Sequence, residues 1–248
     1  GLGKLEPDEP LVAAIADLVG AVRLQRGRSV AVHEGSIRGT VRAGKAVVIG
    51  KDGVVTVEES NTFGIDLDFT LDALLEQADR FQSQGFRAIK MKAGRPRLSE
   101  DVERVKRMRE HLGDDFPLMV DANMRWTADQ AIRAARALEP YNLVWIEEPT
   151  IPDDIAGHVR VIREGRTPVA TGENLHTLYE FRAMIEAGGV TYPEPDVTNC
   201  GGITIFRKIG ALSEAYNLPL TSHGAHDVTV HLLAAAPNTS YLEVHGFP

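Results

Sequence analysis

The chain has a single cysteine, Cys200, among its 248 residues, so it cannot form an internal disulfide bond. No uninterrupted apolar run approaches the roughly 18–20 residues that a membrane-spanning helix requires. The first ten residues also lack the basic and then apolar pattern of a secretory signal. These absences predict a protein that folds in a reducing compartment, and we expect it in the cytoplasm.

The chain has fewer basic than acidic residues, with 27 Lys and Arg against 35 Asp and Glu, and its formal net charge is −8. A nucleic-acid-binding protein would normally show a basic face. The densest basic stretch, residues 104–109, is interleaved with apolar residues at helical spacing, which predicts a solvated helix face. We therefore expect neither a nucleic acid nor a membrane as a partner.

A repeating theme runs from about residue 53 onward: a short apolar or β-branched run, a polar residue, and then an amphipathic helix pattern. Several runs lack alternation, as strands buried on both faces do. Eight candidate strands alternating with helices predict a closed parallel α/β barrel, with an open doubly wound sheet as the alternative. The runs are residues 54–57, 86–91, 118–120, 143–146, 168–170, 190–192, 218–220 and 241–244.

Start and stop signals mark the helices between these runs. Thr127 and Thr177 are each followed three residues later by Gln or Glu, which is the capping-box pattern. Ser99 is expected to cap another helix that ends at Gly113. These signals support the alternation of strands and helices.

The first 52 residues fit the scheme poorly. They contain one candidate helix, residues 11–24, and two candidate strands, residues 29–33 and 46–50. A turn at residues 51–53 predicts a hairpin that leads into the first barrel strand.

Polar groups follow seven of the eight runs, separated by 20–29 residues, which is the length of one strand–helix unit. A parallel barrel would bring all of them to its C-terminal rim, where barrel enzymes place their chemistry. The groups are Lys90-Met91-Lys92, Asp121-Ala122-Asn123, Glu147-Glu148-Pro149, Gly172-Glu173-Asn174, Pro195-Asp196, Ser222-His223 and Leu242-Glu243.

Three of these groups carry carboxylates that would converge, with no basic partner named by the sequence: Asp121, Glu147 and Glu173. Three like charges packed together are unfavourable unless a cation neutralises them. Carboxylate oxygens suit Mg²⁺ or Mn²⁺ better than zinc. A loop acid or helix cap explains any one of the three alone, whereas their regular spacing favours a metal site.

Lys90 and Lys92 lie two residues apart on one strand and therefore point to the same face. Two adjacent ammonium groups disfavour each other, which predicts a lowered pKa and a neutral amine near pH 7. Lys92, nearer the rim, is the predicted base, while Lys90 tunes it and contacts the substrate carboxylate. A solvated strand edge is the alternative, and the flanking Ile89 and Met91 disfavour it.

Asp196 and His223 end adjacent strands. A carboxylate bonded to an imidazole orients the ring and raises its basicity, so His223 is predicted to be a second base or acid. A zinc site at His226, Asp227 and His231 is the weaker interpretation, because no third soft ligand accompanies them.

Together these motifs resemble the mandelate racemase branch of the enolase superfamily over residues 62–247. The resemblance implies a modified TIM barrel of the (β/α)7β type, with eight strands and seven helices. It also implies one essential Mg²⁺, bound by Asp121, Glu147 and Glu173. The motifs, in the family's order, are KMK, VDAN, WIEEP, TGEN, PD, TSH and YLE.

The resemblance implies roles for the remaining residues as well. Lys92 would be one general base and the His223–Asp196 pair the other. Glu243 would hydrogen-bond the substrate carboxylate as it becomes an enediolate, and Asn123 would contact the substrate. The expected partner is a small-molecule carboxylate, either an acid sugar or a 2-hydroxy acid, and the expected assembly is a homo-oligomer.

Two reactions follow from these bases. The resemblance favours dehydration of an aldonate or aldarate to a 2-keto-3-deoxy acid, with His223 as the acid for the departing hydroxyl. A racemase or epimerase of a 2-hydroxy acid would use the same residues. Asp196 stands where the muconate cycloisomerase branch has a second lysine, which argues against that branch's chemistry.

The sequence departs from this family at its N-terminus. Members carry a capping domain that closes over the site, and residues 1–52 are too short for it. We predict that residues 1–52 are an N-terminal remnant of a truncated or missing cap and that residues 53–248 form the catalytic barrel. A barrel without a lid would leave its site wet, so a catalytically impaired metal-binding barrel is a third possibility.

Overall fold

The computed structural model describes residues 65–245, with side chains from Leu67 to Val244, and the backbone of six short strands between residues 22 and 60. Five of these strands form a three-stranded antiparallel sheet and a separate two-stranded hairpin. They are β1 (Val22–Gln25), β2 (Ser29–Val32), β3 (Thr40–Arg42), β4 (Val48–Gly50) and β5 (Gly53–Val55).

The predictions for this N-terminal part are met in three places and fail in one. Both predicted strands are confirmed, as β2 and β4, and the predicted hairpin closes with Gly50 opposite Gly53. The predicted helix over residues 11–24 is wrong at its end, because Val22 to Leu24 pair with β2 as a strand. The rest of that helix lies outside the described residues, and the predicted division into residues 1–52 and 53–248 stays a prediction.

Eight described strands form one parallel sheet that closes on itself. Seven neighbouring pairs are parallel ladders, and a parallel bridge between Asp196 and His223 joins the two ends of the series. The closed barrel is therefore confirmed and the open sheet is excluded. The strands are β6 (Val57–Ser60), β7 (Ala88–Lys92), β8 (Leu118–Asp121), β9 (Ile146–Glu147), β10 (Val169–Thr171), β11 (Tyr192–Pro193), β12 (Leu220–Ser222) and β13 (Thr239–His245).

The first barrel strand begins three residues later than predicted. Val54 and Val55 belong to the antiparallel hairpin, where they pair with β4 and so are not part of the barrel sheet. The chain then enters the barrel at Val57, which pairs with Leu242 of β13. The other seven predicted strands are found within a few residues of their expected places.

Seven helices connect these eight strands, as the (β/α)7β prediction requires. Among the described residues, no helix has both the length and the apolar character needed to cross a membrane. The helices are α1 (Leu71–Ser83), α2 (Leu98–Leu112), α3 (Ala128–Leu138), α4 (Ile155–Gly165), α5 (Leu178–Ala187), α6 (Ile203–Ala215) and α7 (His226–Ala234).

Two of the three predicted helix caps are confirmed. The hydroxyls of Thr127 and Thr177 accept hydrogen bonds from the backbone N–H three residues on, at 3.4 and 3.3 Å. The prediction for Ser99 is wrong. Helix α2 begins at Leu98, because the Glu100 carboxylate accepts from the Arg97 N–H and places the cap two residues earlier.

Aromatic and small side chains fill the barrel interior below the rim. The Trp145 ring lies 4.9 Å from that of Tyr192 and 5.3 Å from that of Tyr241, measured between centroids. Ala88 and Met119 are fully buried in the same cluster. Side chains two residues further along each strand point inward again, so this apolar plug supports the next layer of side chains.

Candidate active site

One step above the plug lies a polar layer drawn from four alternate strands. We call it the inner layer and define it as Lys90, Glu147, Glu194 and Glu243. Each follows, by two residues, an inward-facing residue of the plug that lies on or directly before β7, β9, β11 or β13. All four are buried, with exposed fractions of 4%, 0%, 1% and 2% in that order. Charged groups are almost never buried this completely unless they are paired or functional.

Lys90 is the cationic centre of the inner layer. Its ammonium group forms ion pairs with Glu147 and, at 2.6 Å, with Oε1 of Glu243. The second oxygen of Glu147 accepts a hydrogen bond from the Trp145 indole at 2.9 Å. The second oxygen of Glu243 accepts from the Gly224 N–H at 3.0 Å. Two carboxylates thus share one lysine, and the predicted contact of Lys90 with the substrate carboxylate stays a prediction.

Lys92 lies one step nearer the rim and forms a buried ion pair with Asp121. Burial and the Lys90 charge lower the pKa of Lys92, but the charge and hydrogen bond of Asp121, with the charge of Glu147, raise it above its ordinary value. The predicted lowered pKa is therefore wrong for this arrangement. The prediction considered the neighbouring lysine alone, whereas an opposite charge at hydrogen-bonding distance outweighs it.

Asn123 lies just beyond Asp121 in a strained turn. Its backbone has φ of 43°, and its N–H donates to Oδ1 of Asp121 at 2.8 Å. This bond orients the carboxylate whose other oxygen holds Lys92. The side chain of Asn123 is half-buried, and its predicted contact with the substrate stays a prediction.

The predicted dyad is present in the structure. Nδ1 of His223 lies 2.8 Å from Oδ2 of Asp196, and Oδ1 of Asp196 accepts from the N–H and hydroxyl of Thr198 at 2.7 and 2.6 Å. On the other side of the ring, Nε2 of His223 lies 2.8 Å from Glu173 and 3.7 Å from Glu243. The dyad is thereby connected to the inner layer.

Electrostatics favour the charged form of this histidine. Burial lowers the pKa of His223, but Glu243, the bonds to Asp196 and Glu173, and the Glu173 charge together raise it well above its ordinary value. The pKa of Asp196 is lowered, because bonds from His223 and Thr198 outweigh the effect of burial. In this arrangement the imidazolium is a proton donor held by three carboxylates.

The three predicted metal ligands lie on or directly after consecutive strands, and Asp121 and Glu147 are paired residues of β8 and β9. The expectation that no basic partner stands beside them is wrong, because Lys92 holds Asp121 and Lys90 holds Glu147. Buried carboxylates take the nearest cationic partner, and β7 supplies two. Within the described part of the chain, no set of three His, Cys, Asp or Glu side chains stands ready around a common ion position.

Glu148 is a buried site residue that the sequence reasoning missed. It has φ of 38°, and its carboxyl group accepts from the Thr171 hydroxyl at 2.5 Å and the Gly172 N–H at 3.0 Å. Burial, together with the Glu173 charge, raises its pKa to about 7. The sequence signal that could have identified it is the pair of adjacent glutamates. Neighbouring residues of a strand face opposite sides, so a role for Glu147 leaves Glu148 to be explained separately.

Glu194 was also missed. It lies between two prolines, two residues before Asp196, and only the inward position of Tyr192 two residues earlier indicates that it faces the interior. Burial and the charge of Glu147 raise the pKa of Glu194 well above its ordinary value.

The weaker zinc interpretation receives no support. His226 lies 3.7 Å from Asp227, and no third ligand joins them in the portion of the molecule described. Beside the site, a cavity of about 670 Å³ is lined by Met124, Asn174 and residues at the start of α5. Asn174 donates from its amide to Glu173 at 2.9 Å, so this cavity adjoins the carboxylates.

Comparison with known proteins finds relatives that agree with one another in family. The pattern of the enolase C-terminal domain-like family matches residues 73–248. A 3,6-anhydro-alpha-L-galactonate cycloisomerase of Streptomyces coelicolor is 62% identical over 198 residues, covering 80% of this chain and 54% of that protein. An L-talarate/galactarate dehydratase of Salmonella typhimurium is 40% identical over 188 residues, covering 76% and 47%.

Solved structures show the same likeness. A racemase from Streptomyces coelicolor with bound magnesium is 61% identical, with a TM-score of 0.74 over 77% of this chain and 52% of that one. An L-talarate dehydratase from Polaromonas, complexed with Mg and L-glucarate, is 41% identical, with a TM-score of 0.72 over 76% and 52%. The chain spans about half the length of the relatives it matches.

The family pattern covers most of the chain, and the barrel, the lysine pair and the His–Asp dyad lie where the sequence motifs predicted them. This chain therefore belongs to the enolase C-terminal domain-like family, in the mandelate racemase branch of the enolase superfamily.

Proposed function

We propose that the protein removes the α-proton of an acid-sugar carboxylate and then expels the oxygen on the β-carbon, giving a 2-keto-3-deoxy acid. One observation carries this proposal. Lys92 lies on β7, and His223 of the dyad directly follows β12; β6 and β13 separate these two strands around the ring, and the ion pair of Lys90 and Glu243 lies between the two groups. Two proton-transfer groups flanking a buried cation–carboxylate layer suit removal of one proton and delivery of another.

The donor chemistry of the site fits Mg²⁺. Its buried and half-buried carboxyl groups outnumber its cationic groups, and oxygen-rich, carboxylate donors are the ligands that Mg²⁺ prefers. Asp121, Glu147 and Glu173 would hold the ion. When bound, it would draw carboxylate charge away from the lysines and stabilise negative charge on the substrate. The carboxyl groups are Asp121, Glu147, Glu148, Glu173, Glu194, Asp196 and Glu243, against Lys90, Lys92 and His223.

The residues then have distinct tasks. Lys92, as a neutral amine, accepts the α-proton. Lys90 and Glu243 face the carboxylate end, where an ammonium and a hydrogen-bonding carboxyl stabilise the developing enediolate. His223, held protonated by its neighbours, donates to the departing oxygen. Asn123 contacts the substrate beside Asp121, and the distal part of the substrate extends towards the cavity at Asn174.

The relatives support this choice of reaction class. Several are dehydratases of acid sugars, acting on L-talarate or galactarate, L-rhamnonate and arabinonate. The 62% identical relative is a cycloisomerase of a 3,6-anhydro acid. In such an acid the β-carbon carries a ring ether oxygen, so loss of a β-oxygen after α-proton removal describes both kinds of substrate.

The test is a panel of acid sugars with Mg²⁺, followed by detection of a 2-keto product. The panel contains galactarate, L-rhamnonate, arabinonate and 3,6-anhydro-L-galactonate. We expect at least one to give a 2-keto acid in a reaction that stops when the metal is chelated. No 2-keto product from any acid, with Mg²⁺ shown to be bound, would reject the proposal.

Racemisation or epimerisation is a second candidate, favoured by the two separate bases and by the 61% identical structure described as a racemase. In this reaction the second base returns the proton to the opposite face, and no oxygen leaves. Incubation in D₂O distinguishes the two candidates. Deuterium would enter the α-carbon of recovered acid, with inverted configuration and no ketone.

A further inference from the structure

Glu194 completes the inner layer, and the layer has no other cation than Lys90. It follows Tyr192 by two residues on β11, faces the interior and has an exposed fraction of 1%. Gly172, directly after the neighbouring strand β10, packs against the Glu194 backbone, since a Cβ there would lie 3.0 Å from it. Glu194 thus lies in the same buried layer as Lys90 and Glu243, and the charges of both act on its carboxyl group.

The hydrogen bonds of the inner layer are distributed unevenly. Glu147 and Glu243 each bond to Lys90 through one oxygen and to a further donor through the other. Oε1 of Glu194 is buried and has no hydrogen-bond partner. A carboxyl oxygen that bonds nothing contributes nothing to holding the fold and costs desolvation free energy. Buried polar groups that lack a hydrogen-bond partner break the usual rules of folding, and such exceptions concentrate at functional sites.

The surroundings of Glu194 favour its protonated form. Burial, with the charges of Glu147, Glu173 and Glu243, raises the pKa of Glu194 well above its ordinary value, although Lys90 acts in the opposite direction. A neutral carboxyl group carries an O–H donor, which a carboxylate substrate can accept.

We propose that Glu194 is a further substrate-contacting residue, which hydrogen-bonds the carboxylate end of the ligand held by Lys90 and Glu243. This inference rests on the proposed function. It differs from a structural role, in which Glu194 would support neighbouring side chains, and from a metal-ligand role, in which it would bind the cation directly.

Three variants of the full chain separate these roles. Glu194→Met removes the hydrogen-bonding group at similar volume, Glu194→Gln keeps a neutral donor, and Glu214→Met is a control on the exposed surface of α6. For each we measure Tm without ligand, Mg²⁺ affinity by calorimetry, and kcat/KM on the panel acid that the wild type converts fastest.

We expect Glu194→Met to unfold at the same or a higher temperature than the wild type and to bind Mg²⁺ within about threefold of it. Its kcat/KM should fall at least about tenfold, as for loss of one hydrogen bond to a charged group. Glu194→Gln should recover part of that loss. The Glu214→Met control should match the wild type in all three measurements.

Three results would overturn the inference. A Tm well below that of the wild type for Glu194→Met would indicate a structural residue. Loss of Mg²⁺ binding would indicate a metal ligand, and unchanged kcat/KM would exclude substrate contact. If the wild type converts no acid, the proposed function fails, and the inference that rests on it fails with it. Unchanged kcat/KM in Glu194→Met beside an active wild type rejects the inference alone.

Discussion

At the scale of single residues, the site contains few cationic side chains and many carboxyl groups, so some cationic groups contact more than one carboxylate. Lys90 is shared by Glu147 and Glu243, and His223 contacts Asp196 and Glu173. For Lys92 and His223, opposite charges at hydrogen-bonding distance outweigh the effect of burial on the pKa, so a base cannot be identified from its own type alone. Lys92 shows this, because its pKa is raised by Asp121 despite burial beside another lysine.

The two predicted proton-transfer groups can be separated by mutation. Lys92→Ala should abolish both α-proton exchange and turnover, whereas His223→Asn should abolish turnover and leave more of the exchange. Each loss should be on the order of 10²- to 10⁴-fold, the usual contribution of a positioned acid or base. Rates are measured by deuterium uptake and 2-keto product formation, with exposed Lys208→Ala as control. Wild-type rates in both variants would show that the assignments are wrong.

Glu148 should make stability depend on pH in a defined window. Its folded pKa of about 7 is above the ordinary value of 4.5, so the folded state binds the proton more tightly. Stability from this group is therefore fully present below about pH 4.5 and is lost as the pH rises through about 7. Relative to Glu148→Gln, the wild type should lose free energy of unfolding on the order of 3 kcal/mol across that window.

Urea unfolding of the wild type and Glu148→Gln at several pH values, without metal, checks this. The glutamine oxygen can still accept from Thr171 and Gly172. Parallel pH curves for the two proteins would contradict the assignment.

At the scale of elements, the ends of the strands decide where the chemistry is placed. β10 ends at Thr171, and Gly172 continues with φ of 147° so that Glu173 can reach His223. Phe181 of α5 packs against this point. The predicted caps explain how α5 is positioned, because Thr177 starts the helix directly after this turn.

Gly172 should therefore tolerate no side chain. A Cβ would lie 2.8 Å from the Phe181 ring and 3.0 Å from the Glu194 backbone, in a backbone conformation that favours glycine. We expect Gly172→Ala to lower the free energy of unfolding by about 2–3 kcal/mol or more. Gly113→Ala, at φ of 85° with nothing within 4 Å, should cost only about 1 kcal/mol. Thermal and urea unfolding measure both, and equal losses would show that crowding at Gly172 is unimportant.

At the scale of the whole molecule, metal binding should be linked to folding. A cation that binds the folded site alone stabilises it by about 2.7 kcal/mol at a concentration of one hundred times its Kd. We expect Mg²⁺ to raise Tm and EDTA to reverse the rise. Asp121→Asn, Glu147→Gln and Glu173→Gln should each reduce the effect, and exposed Glu110→Gln should not. An equal rise in all variants would place the ion elsewhere.

Much of this architecture could be predicted from local patterns. The spacing of short apolar runs predicts eight strands, and the polar residue after each run identifies the rim. Lys90, Lys92, Asp196, His223 and Glu243 could be found because strand ends and alternation are local properties. The dyad of Asp196 and His223 was predicted on that basis.

The contacts across the barrel could not be predicted in the same way. The register between strands and the closure of the ring decide these contacts. They pair Lys92 with Asp121, let two glutamates share Lys90, and bury Glu148 and Glu194. Register is decided by the sum of packing over the whole barrel. The sequence alone thus determined which residues end the strands, and only the tertiary structure decided which of them meet, because partners from distant strands depend on how the barrel closes.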